Sequence, residues 1–197
     1  MSRKRIIAIE GKTSSGKDTA AKYLNEKYHI PMVVSATTRP MRTYETNGKE
    51  HYFVSKQEMA AIIRNNTVIA YTKNDITGIE YCATLEALQG DINVYIINPD
   101  GVKWLKQHHQ GNLFNLTVIY VDLPEEEIMR RGRLRGDNEE ILQTRLASER
   151  NEFDVAKMNK EYDYYICNNR DQQYLYDELD KIIKKYNSIV IEIYDST

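Results

Sequence analysis

Residues 6–18 read IIAIEGKTSSGKD, and the order of their parts decides the fold. The apolar run 6–9 has the length of a buried strand. Gly11, Gly16 and Lys17 then carry the spacing of a phosphate-binding loop, and a helical run follows from residue 18. A strand that feeds a glycine-rich turn into a helix aims backbone N–H groups and the positive helix terminus at one point, where phosphates are stabilised. Thr13, Ser14 and Ser15 supply further donors along that turn, and Lys17 reaches the outer phosphates. An ordinary Gly/Ser turn before a helix is the plainer reading, but strand, spacing and lysine must then coincide by chance. Asp18 stands where a Ser or Thr would ligate magnesium, and Thr19 follows. Both are candidate metal ligands, because Mg²⁺ accepts carboxylate oxygens readily.

The rest of the chain bounds this reading. Its 197 residues suit one domain with room for a small insertion. A net charge of −2 with acids and bases interspersed gives no basic field for nucleic acid or a membrane surface, so neither is expected as a partner. No apolar run approaches the roughly 18 residues of a membrane span. Cys82 and Cys167 lie far apart and form no metal or disulfide pattern. A soluble, cytoplasmic protein with two buried thiols is expected.

Strand-like and helical runs alternate, which predicts an α/β fold around a mostly parallel sheet flanked by helices. Strands are expected at residues 5–10, 32–35, 92–97, 116–121 and 164–167. Helices are expected at 18–28, 101–109, 124–131, 139–157 and 172–186. The stretch 36–88 breaks the rhythm with short strands at 51–54, 68–72 and 79–82 around a helix at 56–65, so it reads as an inserted lobe between core segments 1–35 and 89–197. His108 and His109 read as a solvated helix end. The β-prone tail 188–194 is expected to add an edge strand or meet a partner.

Residues 35–54 read SATTRPMRTYETNGKEHYFV. Arg39 and Arg42 flank a proline that disfavours helix at Arg39 and sets an extended path, along which both guanidinium groups can converge on one anion. Ser35, Glu45 and Tyr52 add polar groups nearby. Alone, two arginines in a polar loop read equally as a solvated surface. Read together with the loop at 11–18, the segment resembles guanylate kinases and their relatives. The Asn65-Asn66 turn, the Gly101-Val102-Lys103 helix start and the arginine-rich run 129–146, MRRGRLRGDNEEILQTRL, extend that resemblance over most of the chain.

The resemblance implies a P-loop kinase fold with an acceptor-binding lobe at 36–88 and a lid at about 130–140. It implies ATP and Mg²⁺ as cofactors, a small-molecule phosphate acceptor as partner, and a monomer or homodimer. Gly11, Thr13, Ser14, Ser15, Gly16, Lys17, Asp18, Thr19 and Asn168 would then hold the nucleotide and its metal. Ser35, Arg39, Arg42 and Tyr52 would be ligands of the acceptor phosphate, with Glu45 orienting the arginines. Arg131, Arg135 and Arg145 match the arginines that close over the transferred group, and Lys17, Arg39 and Arg42 complete the catalytic set.

The pattern breaks where the family reads guanine. Guanine offers N1–H and N2–H₂ donors, and a carboxylate accepts both. Ala70 stands in place of a Glu, a small hydroxyl residue is replaced within Cys82-Ala83, and Ile96-Ile97-Asn98 stands in place of Asp-x-Asp, although Tyr81 is kept and Thr84 lies close. Asp75 or Glu80 could compensate. The expected activity is therefore transfer of the γ-phosphoryl group of ATP to a nucleoside or deoxynucleoside monophosphate, with the preference for GMP weakened. Two alternatives stand beside it: a kinase for ribose 1,5-bisphosphate or another acceptor without a base, and a non-catalytic binding module. Persistence of Lys17 and the lid arginines argues against the module.

Overall fold

The structure, a computed structural model, describes residues 3–43, 45–75, 77–109 and 114–195, with side chains placed for all of these except 108–109 and 186–195. Eight strands and six helices follow in the order β1 Lys4–Glu10, α1 Lys17–Tyr28, β2 Ala36–Thr37, β3 Tyr52–Phe53, α2 Lys56–Asn65, β4 Val68–Lys73, β5 Glu80–Thr84, β6 Ile92–Ile96, α3 Pro99–His109, β7 Phe114–Asp122, α4 Glu125–Arg135, α5 Glu139–Met158, β8 Tyr164–Cys167 and α6 Gln172–Asp195. One sheet has the order β6-β1-β7-β8, and β7 pairs with β8 in parallel. Ile6, Ile7, Ala8 and Ile9 are all buried, as a strand covered on both faces requires. The second sheet has the order β3-β2-β5-β4.

The chain forms two compact units, residues 1–8 with 29–117 and residues 9–28 with 118–197. The expected lobe, 36–88, lies within the first unit. That unit also takes in β6 and α3, because α3 packs on β4. Helix α2 starts from a capping box made by Ser55 and Glu58 and covers one face of the second sheet through Met59, against Ala36 and Cys82. In the second unit, α1 packs on α6, where the Tyr23 and Tyr28 hydroxyls both donate to Asp180 at 2.8 Å. Helices α4 and α5 pair through Ile128, Leu142 and Leu146. Gly132 lets them approach, since a Cβ there would collide with Leu142, and Gly136 at φ +77° ends α4 in the left-handed region.

Two expectations fail. Residues 32–35 form no strand: Met32 makes one parallel bridge to Val94, and the chain then leaves that sheet to enter β2 in the other. The tail at 188–194 continues α6 instead of forming an edge strand. No Gly or Pro interrupts residues 172–195, so each further residue adds a helical hydrogen bond to an existing helix, while a lone strand has no ladder to join. Cys82 is buried and Cys167 only partly so, and both are free thiols. His108 closes α3 with His109, and their side chains lie outside the described residues. Among the described residues no helix is long and apolar enough to cross a membrane.

Candidate active site

In the second unit the loop between β1 and α1 is shaped by close approach. A Cβ on Gly11 would collide with the Val121 carbonyl and the Ser15 side chain, and one on Gly16, at φ +103°, would strike the Asn168 amide. Ser14 sits at φ +59°, a left-handed conformation that costs a non-glycine residue energy and persists where the surroundings impose it. The Ser15 N–H donates to the Lys12 carbonyl at 3.1 Å, while its buried hydroxyl has no partner. The Asn168 amide donates to the Ser15 carbonyl at 2.8 Å. Arg131 donates in turn to the Asn168 carbonyl at 2.9 Å and the Arg170 carbonyl at 3.1 Å. Asn168 and Arg131 thus brace the loop from behind.

Lys17 opens α1, with its ammonium 3.4 Å from the Lys12 carbonyl and 3.6 Å from the Asp18 carboxylate. Asp18 is 77% exposed at its side chain, and Thr19 shares the same first helical turn. Among the described residues no three His, Cys, Asp or Glu side chains cluster to cage a metal. That fits magnesium, which is held by one or two protein oxygens plus phosphates and water, and Asp18 with Thr19 offers those oxygens. Arg135 donates to the Ser14 hydroxyl at 2.7 Å and to Asp137 at 2.6 Å. Arg130 and Arg133 are instead paired on the surface with Glu127 and Glu139.

Two groups near this loop were not legible as site residues. Glu149, one turn beyond Arg145 on α5, accepts the Thr13 N–H at 2.6 Å, and burial pushes its carboxyl above the usual range. Buried Lys12 bridges Glu125 at 3.0 Å and Asp154 at 2.7 Å. Arg150 and then Lys12 hold Glu125 down at about 2. Asp122, the other acid at the end of an apolar strand, is occupied by Lys157 at 2.6 Å and the Tyr165 hydroxyl at 2.5 Å.

In the first unit the arginines following β2 are organised by one carboxylate. Glu45, 4% exposed at its side chain, accepts both terminal nitrogens of Arg39 at 2.9 and 2.7 Å and the Arg42 N–H at 2.8 Å. Burial alone would raise its carboxyl, but Arg39 and Arg42 hold it down at about 2. The Arg39 side chain is 11% exposed, lies over the Phe53 ring, and keeps a buried Nε without a partner. Ser35 Oγ lies 3.0 Å from His51 Nδ1 and shares a second hydrogen bond with the buried Tyr95 hydroxyl. His51 meets the rings of Phe53 and Tyr81 edge-on.

The structure therefore brings Ser35, Arg39, Arg42, Glu45 and Tyr81 together but leaves Tyr52 out. Tyr52 pairs in register with Ala36, which pairs with Cys82, so its ring lies on the α2-covered face. There it lines a cavity of about 250 Å³ with Ile62 and Asn66. Side chains alternate along a strand, so His51 takes the face carrying Ser35 and Thr37. Sequence reading missed His51 because that parity depends on the β2–β3 pairing, which the sequence does not display.

Of the positions facing the expected base, Ala70 pairs in register with Ala83, and both are buried. The Asn98 side chain accepts the Gly101 N–H at 3.2 Å and caps the start of α3. Glu80 accepts the Tyr71 hydroxyl at 2.5 Å, and Asp75 is exposed in the turn between β4 and β5.

A guanylate kinase family model matches residues 3–186. The guanylate kinase of Rickettsia prowazekii (strain Madrid E) is 31% identical over 194 residues, covering 94% of this chain and 90% of that protein. That of Clostridioides difficile (strain 630) is 30% identical over 200 residues, covering 95% and 94%. The crystal structure of guanylate kinase from Anaplasma phagocytophilum matches the fold with a TM-score of 0.64 at 19% identity, over 95% of this chain and 87% of that one. With a strand, loop and lysine of the phosphate-binding kind and a match spanning nearly its whole length, the chain belongs to the guanylate kinase family of nucleoside monophosphate kinases.

Proposed function

We propose that this protein transfers the γ-phosphoryl group of Mg·ATP to the phosphate of a nucleoside monophosphate, and that it reads the base less strictly than its GMP-directed relatives. The observation that carries the transfer reading is the presence in one chain of a braced phosphate loop with Lys17 and an arginine pair already gathered by Glu45. An acceptor phosphate oxygen attacks the γ-phosphorus, the bond to the β–γ bridging oxygen breaks, and ADP leaves. No covalent enzyme intermediate is needed, so catalysis consists of positioning and charge neutralisation. Lys17 and the loop amides hold the β- and γ-phosphates, and Asp18 or Thr19 would hold the metal. When bound, magnesium would supply positive charge that offsets the charge on the phosphates. Arg39 and Arg42 present the acceptor, while Arg135 and Arg145 screen charge that develops on the transferred group.

The base reading rests on Ala70 and Ala83, which offer no acceptor for guanine, and on Asn98, whose carbonyl oxygen is committed to Gly101. Glu80 is engaged by Tyr71 and Asp75 faces solvent, so neither acid is a ready substitute. Each lost hydrogen bond to a charged acceptor is worth about 1.5–3 kcal/mol, a factor of roughly ten to a hundred.

The test is ADP release with ATP and each ribo- and deoxynucleoside monophosphate, with ribose 1,5-bisphosphate as a base-free control. Turnover of at least one other nucleotide within about tenfold of GMP is expected. A preference for GMP of roughly a thousandfold would overturn the base reading, and no ADP release with any acceptor would overturn the transferase reading.

A further inference from the structure

Beside the arginine pair stands a titratable group that the transfer reading does not use. His51 is largely enclosed, packed edge-on against Phe53 and Tyr81, with Nδ1 tied to Ser35 at 3.0 Å. The Ser35 backbone also hydrogen-bonds the ring. The groups that face it carry opposite charges: Arg39 and Arg42 from the loop after β2 oppose a proton on the ring, and Glu45 between them favours one. Tyr81 from β5 and, through Ser35, Tyr95 from β6 complete its surroundings. The cluster thus gathers two arginines, a buried Arg39 Nε without a partner among the described residues, and a partly buried imidazole beside Ser35.

Resting on the acceptor assignment above, we infer that His51 is a third ligand of the acceptor phosphate and takes up one proton from solvent when the dianion binds. The hydroxyl of Ser35 suits both states, since it can donate to Nδ1 of the neutral ring and accept from Nδ1–H of the cation. Burial first, then Arg39, depresses the imidazole below its ordinary value, so the empty site disfavours the charged ring. A bound dianion reverses that field and restores the charged form. The sign follows. Acceptor affinity gained through His51 is full below the depressed value, and it is lost as pH rises through the raised value of the complex.

The experiment is calorimetric titration of the full chain at pH 7.5 with GMP and, as a base-free probe, ribose 5-phosphate, each in two buffers of different ionisation heat. Both phosphates are then mostly dianions, because the second phosphate ionisation lies near about 6. The wild type is expected to take up close to one proton per bound phosphate. His51→Gln and His51→Tyr should bind more weakly with almost no uptake. The tyrosine variant keeps an aromatic ring between Phe53 and Tyr81, and thermal unfolding verifies that each variant is folded. Equal proton counts in wild type and a folded variant overturn the role of His51. Uptake with ribose 5-phosphate but no binding of GMP keeps that role and sinks the nucleotide assignment. Binding of neither probe overturns both.

Discussion

Glu45 and Glu149 each lie at one of the two proposed anion sites, and they act in opposite ways. Glu45 pairs with cations: it holds the fork of Arg39 and the backbone of Arg42, and those charges keep its carboxyl at about 2. An arriving phosphate finds the arginines gathered and Arg39 Nε still unused. Glu149 instead takes the Thr13 N–H, one of the loop amides a nucleotide phosphate would use, and burial raises its carboxyl. On the proposed reading the first carboxylate prepares its site, and the second competes with the ligand. A negative group helps an anion site when it neutralises excess positive charge there and hinders it when it occupies a donor.

The largest effects should come from the groups both sites reserve for phosphate. Lys17→Ala and Arg39→Ala are each expected to lower kcat/KM by about 10²–10³-fold in coupled ADP release, because each removes a cation that strengthens its contact in the transition state. Near-normal turnover in either folded variant would remove that region from the comparison.

Glu45→Gln should raise the acceptor KM by roughly tenfold with little change in the ATP KM, since one charge-assisted bond of about 1.5–3 kcal/mol weakens at the acceptor end alone. Its pH signature is separate. The folded carboxyl, at about 2, lies below its ordinary 4.5, so its stabilising contribution is complete above 4.5 and is lost as pH falls towards 2. Unfolding of wild type and variant should therefore converge across that window, and a gap that persists at pH 2 would contradict the clamp.

Glu149→Ala is expected to act in the reverse direction and lower the ATP KM by about three- to tenfold, the worth of one ordinary hydrogen bond. Since the Glu149 carboxyl is raised, the wild-type value should approach that of the variant as pH falls through it. An unchanged or higher ATP KM would end the distinction between the two carboxylates. The smallest effect belongs to Arg133→Ala. Arg133 pairs with Glu139 on the exposed surface where α4 meets α5, and its loss should change kcat/KM by less than about twofold.

Much of this was legible in the sequence. The apolar run at 6–9, the glycines at 11 and 16 and the helical run after them produce β1, the loop and α1 as expected, because their determinants are local. The pair Arg39 and Arg42 with Glu45 was equally legible, since a short loop after a proline keeps partners close in sequence close in space. The tail was misread because β-branched residues at 189–191 favour a strand only when a neighbour supplies the ladder. Asn168 was expected beside the nucleotide and Arg131 over the transferred group, and neither was legible as a brace. Their bonds reach loop carbonyls across long stretches of chain.

The sequence by itself thus determined the glycine-rich loop with its lysine, the arginine pair and the α/β alternation, all of them matters of residue identity and short spacing. Only the tertiary structure decided that His51 and not Tyr52 shares a face with Ser35, that Glu149 holds the Thr13 amide, and that Glu80 is engaged by Tyr71. Each of these depends on strand register or helix packing between distant segments. A shift of one residue in a strand turns every side chain to the other face, and local propensity carries no record of which register wins.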